Sequence, residues 1–164
     1  MASQWSLTRT YDPDDEVNLS GLSGSLATYA AAVTGLVAVG RATGHELPER
    51  YSVSDLLLGG IATHKLSRLI TKGSVTSPLR SPFTRFEEPV GSAEHQESPR
   101  GSHGVRHTIG ELLTCPFCMG VWIGTGYVAA LSAAPRAARA WAAVFTVVAT
   151  SDALHHGYER LRSD

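Results

Sequence analysis

Two long stretches without a charged side chain, Val17 to Gly40 and Leu112 to Pro135, constrain this chain more than any other feature. At about 1.5 Å of rise per residue each makes roughly 36 Å of helix, enough to cross a hydrocarbon core about 30 Å thick. The first is rich in Ala, Gly, Val and Leu. The second carries Trp122 and Tyr127 as candidate interfacial anchors and Gly120, Gly124 and Gly126 as a small-residue face for helix contact. A buried helix of a soluble bundle satisfies the same pattern, and a mean hydropathy of −0.04 keeps that alternative open. Two such runs in a chain of 164 residues favour membrane insertion.

Two further segments are weaker. Val53 to Ile70 carries Asp55, His64, Lys65 and Arg68, and the uncharged run from Ala140 stops at Asp152. In a bundle such groups face inward or snorkel; on a surface they make amphipathic helices. The expected fold is all-α: a small helical membrane bundle of three to four transmembrane helices over residues 17–158. It lies between a polar N-terminal tail (1–16) and a C-terminal tail (159–164), with a flexible cytoplasmic loop at 73–107. Basic residues set the orientation. Lys72, Arg80, Arg85, Arg100 and Arg106 in the central loop, with Arg9, Arg160 and Arg162 at the ends, outnumber Arg41, Arg50, Arg136 and Arg139. This predicts a multi-pass protein of the cell membrane with the loop and both termini in the cytoplasm. The acidic N-terminus lacks the basic-then-apolar order of a cleaved signal.

A net charge of −1 with dispersed Lys and Arg excludes the basic field that nucleic-acid binding uses, so nucleic acid is not an expected partner. There is no Walker-type glycine loop, serine nucleophile elbow or HExxH motif. Ser52-x-x-Asp55 and Thr108-x-x-Glu111 both match a capping box, which gives Asp55 and Glu111 structural work at helix starts. In the central loop, Glu87 to Gly104 reads as a solvated linker. SPLRSPF (77–83) reads as a polar turn, or as a surface segment placing Arg80 and Arg85 near lipid phosphates. His64 and Arg68 share a helix face, and Asp152 is a partner for Arg68 or Lys65, because an unpaired charge in hydrocarbon is costly. His64, Arg68 and Asp152 would also be the residues of a small-solute carrier, if they lined a wet cavity. His155-His156 diverge by about 100° on a helix, which disfavours a ligand pair.

Cys115-Pro-Phe-Cys118 holds both cysteines. They are too few for a disulfide framework and read as a site. Pro116 suits a first helical turn and Cys115 an N-cap, where free amides favour a thiolate; in a redox role Cys115 would attack and Cys118 resolve. The motif is similar to that of glutaredoxins, yet the chain lacks their alternating strands and helices. Four-helix membrane thiol oxidoreductases are the nearer analogy. With His103 and His107, the cysteines make a set suited to tetrahedral zinc, and two copies could instead share their cysteine pairs. Met119 after Cys118 excludes covalent haem. The plainest alternative packs both sulfurs as small apolar groups where Pro116 bends the chain.

Three motifs in order, HKLSRLI (64–70), VTSPLR with PFT (75–84), and GELLTCPFC (110–118) with Trp122, resemble a bacterial family, domain of unknown function 1360, over about Ser52 to Tyr158. The resemblance implies a multi-pass membrane protein, sometimes described as sporulation-related. Its matched positions are His64, Arg68, Arg80, Glu111, Cys115 and Cys118. This chain departs from it at Gly73, where many relatives carry an acidic residue. The reading reached is a non-enzymatic structural or interaction component of the membrane, its partners the lipid bilayer and a second copy or another membrane protein. The alternative is a thiol–disulfide oxidoreductase or a zinc site at the CxxC motif.

Overall fold

The computed structural model describes residues 10–12, 14, 17–45 and 48–163. Most of the expected N-terminal tail, with Arg9, lies outside them. The elements in chain order are α1 (Leu19–Ala42), α2 (Val53–Lys72), a 3₁₀ turn (Ser74–Thr76), α3 (Ser77–Arg80), β1 (Thr84–Pro89), β2 (His95–Pro99), α4 (Val105–Thr114), α5 (Pro116–Ala133) and α6 (Pro135–Ser163). Local chemistry explains the starts. The Asn18 side chain accepts the Gly21 amide at 3.1 Å, the Ser52 hydroxyl accepts the Asp55 amide at 3.0 Å, and Pro116 occupies the first turn of α5. The second expected capping box does not form. Gly104, at a φ of 92° that favours glycine, starts α4 earlier, so Thr108 lies inside the helix.

Contacts along the helices fix their directions. Asp55 meets Arg139 and Lys65 meets Asp152, so α2 and α6 run parallel. The Tyr127 hydroxyl donates to the Asp55 carbonyl at 3.0 Å while Thr63 faces Gly120 and Gly124, so α5 runs antiparallel to α2. Asn18 reaches Glu111, and Tyr29 meets Trp122 and Thr125, which sets α1 parallel to α5. The strands, α3, α4 and the start of α1 therefore gather at one end of the bundle. Residues 73–114 form a headpiece there.

The core is small and built for close approach. Ala62, Tyr127, Leu131, Ala138 and Ala142 are buried among α2, α5 and α6, with Trp141 stacked on Tyr127 at 6.0 Å and edge-on to Phe145. Tyr127 is thus a core residue and not an interfacial anchor. Outside, Leu22, Leu26, Leu36 and Val39 of α1 are exposed, as are Leu56, Leu57 and Ile61 of α2, Val121 of α5, and Val144 and Val147 of α6. Large apolar side chains thus lie on the outer faces of the long helices, while alanines sit between α2 and α6. Two helices, α1 and α5, are long and apolar enough to cross a membrane; α2 and α6 do not meet that measure by themselves.

The all-α expectation is corrected by an antiparallel β1–β2 hairpin, with Thr84 opposite Pro99 and Pro89 opposite His95. The flexible loop expected at 73–107 is likewise replaced by a 3₁₀ turn, a short helix and this hairpin. Proline sits only at strand ends, where its missing amide hydrogen costs little. Gly91 and Ala93 take the positive φ that the turn requires.

Gly59 supplies a test of the core. A Cβ there would lie 2.1 Å from the Tyr127 ring, whereas one at Gly60 would meet nothing within 4 Å. Gly59→Ala should destabilise the bundle by roughly 1–3 kcal/mol through overpacking. Gly60→Ala should be neutral or slightly stabilising. Denaturation midpoints in mild detergent compare the two.

Candidate functional site: a polar headpiece and a cysteine turn

The headpiece is organised around a buried ion pair. Arg80, whose side chain is 1% exposed, donates from Nε to Glu97 Oε2 at 3.0 Å and from Nη2 to Oε1 at 2.6 Å. Its Nη1 reaches the Ile70 and Gly73 carbonyls, at 2.7 and 2.9 Å, and the Thr76 hydroxyl at 2.6 Å. Thr84 and Ser77 hydroxyls donate to the other sides of the Glu97 carboxylate, at 2.6 and 3.1 Å. One guanidinium thus satisfies carbonyls left open at the end of α2 and holds both strands there. Burial works against ionisation of Glu97, but the hydrogen bonds from Arg80, Thr84 and Ser77 outweigh it and hold the carboxyl below its ordinary range. Arg80 is therefore neither a surface-turn residue nor a lipid-phosphate ligand. Gly73 has a reason as well: a Cβ there would lie 2.6 Å from the Leu69 carbonyl.

Other charges tie the headpiece to α2. Arg68 grips Glu94 through Nε, at 3.1 Å, and Nη2. Lys72 donates to Gln96 at 3.1 Å. Of the two expected partners for Asp152, Lys65 makes the contact and Arg68 does not. His64 is exposed one turn before Arg68. At the opposite end of the bundle Asp55 accepts two hydrogen bonds from Arg139, at 2.8 and 2.9 Å, besides its place in the Ser52 cap. That pair was hidden in the sequence, because the cap already accounts for Asp55.

Cys115 is the joint between two helices, ending α4 and capping α5. It is disulfide-bonded to Cys118, and its Sγ accepts the Cys118 amide at 3.2 Å. Cys115 is half-buried and Cys118 exposed; Phe117 between them is 88% exposed. Preceding the joint, α4 lies against the hairpin, where Gly110 leaves space that a Cβ would fill to within 2.6 Å of the Phe83 carbonyl. Asn18 Nδ2 donates to Thr108 and Glu111, at 3.0 and 2.8 Å, linking α1 to α4. His107 Nε2 lies 3.6 Å from Glu111, while its Nδ1 is buried with no hydrogen-bond partner. The expected zinc set of His103, His107, Cys115 and Cys118 is not assembled. Among the described residues no three His, Cys, Asp or Glu side chains are gathered as a metal site. His155 and His156 are exposed on α6.

The fold and site define a class: a small helical bundle with lipid-compatible flanks, a salt-bridged headpiece and a cysteine pair at the mouth of one helix. The chain belongs to the DUF1360 family, described as a protein of unknown function, whose model matches residues 57–158. The match takes in the headpiece and the cysteine turn, and it leaves out α1. Sporulation protein YjcA of Bacillus subtilis (strain 168) is 33% identical over 97 residues, covering 57% of this chain and 80% of that protein. No solved structure matches.

Because the carboxyl of Glu97 titrates lower in the folded chain than its ordinary value of 4.5, the stability it contributes is present above that value and lost as pH falls through the lowered one. Amide-exchange protection of β1 and β2 should therefore hold at neutral pH and fall in acid; Glu97→Gln should weaken the hairpin at neutral pH and flatten the response. Arg80→Ala, which strands a buried carboxylate, should cost roughly 3–5 kcal/mol. Arg80→Lys should recover little of it, since the two-pronged contact is lost.

Proposed function

We propose that this chain is a multi-pass integral membrane protein in which α1, α2, α5 and α6 all cross the bilayer, and that it serves as a non-enzymatic structural or interaction component of a membrane assembly. The carrying observation is the exposed apolar surface on all four long helices. The weaker helices, α2 and α6, enter as a pair. Asp55 is matched by Arg139 and Lys65 by Asp152, at points about 15 Å apart along α2, so the charges that disqualify each helix alone neutralise one another together. The headpiece end holds Lys72, Arg80, Arg85, Arg100 and Arg106, which supports a cytoplasmic headpiece. The name of the relative YjcA supports a role in sporulation. Docking of a second copy or of another membrane protein belongs to the same proposal.

A second reading, thiol–disulfide exchange at Cys115 and Cys118, is favoured by the bonded pair and the exposure of Cys118. Zinc at these cysteines would require reduction of that bond and two further ligands, as from the pair of a second copy.

Topology is tested in a Cys115→Ser, Cys118→Ser background. The protein should stay in membranes through alkaline carbonate extraction. In intact cells a membrane-impermeant maleimide should label Gly44→Cys and spare Val90→Cys until the cells are opened. Release by carbonate, or labelling of Val90→Cys from outside, overturns the proposal.

A further inference from the structure

We infer that the Cys115–Cys118 disulfide is an acceptor of electrons from thiols, and that the incoming thiol attacks Cys118, not Cys115. This deepens the thiol-exchange reading above and rests on it. Three features of the turn carry it. The pair is bonded, so the reactive species on hand is a disulfide. The two residues differ in access: Cys118 is exposed, next to the bare ring of Phe117, whereas Cys115 is half-buried at the joint of α4 and α5. They differ also as leaving groups. Cys115 stands at the N-cap of an 18-residue helix and its Sγ already accepts the Cys118 amide at 3.2 Å, so a thiolate leaving there keeps a donor and the positive end of the helix dipole. Exchange is faster when the departing thiol is the more acidic one, and access decides which sulfur is struck. Both criteria select the same direction.

A thiolate RS⁻ bonds to Cys118 Sγ, the Sγ–Sγ bond breaks, and its electron pair leaves on Cys115 Sγ. A second RS⁻ attacks the R-bearing sulfur of the mixed disulfide, forming RSSR and releasing the Cys118 thiolate. Two thiols are oxidised to one disulfide, the pair is reduced by two electrons, and the two protons given up by the thiols end on Cys115 and Cys118. In the reverse direction the same path makes Cys118 the attacking thiolate and Cys115 the resolving one, which inverts the roles drawn from sequence order. A cytoplasmic headpiece would face a thiol-reducing pool, where persistent disulfides are rare and those that form are redox-sensing or catalytic. The reductant is accordingly a monothiol or dithiol of that pool.

The experiment uses the full-length wild-type chain, purified in mild detergent under air, so its outcome does not depend on topology. Free thiols are counted first. Reduced glutathione is then added, the reaction is quenched with acid at short times, and mass spectrometry locates the glutathione adduct. The expected result is an oxidised pair, reduced by millimolar glutathione, with the adduct on Cys118 in at least about tenfold excess over Cys115. An adduct mainly on Cys115 overturns the assigned direction while leaving thiol exchange standing. Two free thiols in the air-purified protein, or a pair that glutathione and dithiothreitol both leave oxidised, overturns thiol exchange itself.

Discussion

The headpiece depends on one saturated guanidinium. Arg80 is held between the last carbonyls of α2 and the carboxylate of Glu97, and nearly every other contact of the region follows from that placement. Glu97 fixes β2, Thr84 fixes β1 on the same carboxylate, and the hairpin then presents Phe83 and Pro99 to Gly110 of α4. Through α4 the chain of contacts reaches Asn18, which is at once the cap of α1. A buried charge pair is a poor source of net stability compared with apolar packing, but removing either partner is expensive. Such a pair acts as a register pin. It selects one seating of a hairpin whose strands bury almost nothing apolar.

That poverty of apolar burial explains what could and could not be read from the residues. The two uncharged runs, the Ser52 and Cys115 helix starts and the need of Asp152 for a basic partner on α2 were legible because each follows from local spacing or from the cost of an isolated charge, although the choice of Lys65 over Arg68 was not. The family resemblance, drawn over about Ser52 to Tyr158, agrees with the matched 57–158. The hairpin was not legible. TRFEEP and HQESP have no alternating apolar face, and their proline and glycine content resembles a linker; what orders them is a set of polar partners on α2 and α3, distant in sequence. The zinc alternative drew on spacing alone, whereas α4 begins at Val105 and places His107 beside Glu111.

Packing among the long helices follows a different rule from the headpiece. Ala62 and Ala142 are fully buried, and Gly59 receives the Tyr127 ring, so α2 can approach α5 and α6 closely without bulky cores. In the proposed membrane setting, where lipid would cover the flanks, close backbone approach and a few polar contacts suffice to hold such helices together. α1 stands apart. It buries no residue, joins the rest through Asn18 and the Tyr29–Trp122 contact, and falls outside the family match.

The parallel pairing of α2 with α6 bears on how the chain is made. Arg139 lies 84 positions after Asp55, and Asp152 lies 87 after Lys65. At about 5–20 residues per second, α2 leaves the ribosome roughly 4–17 seconds before its partners are synthesised. Throughout that interval Asp55 and Lys65 lack the partners that α6 supplies. In the proposed four-span topology a nascent α2 would wait at the interface, or beside the insertion machinery, until α6 emerges, so that the two helices enter the bilayer as one late event and not in the order of translation.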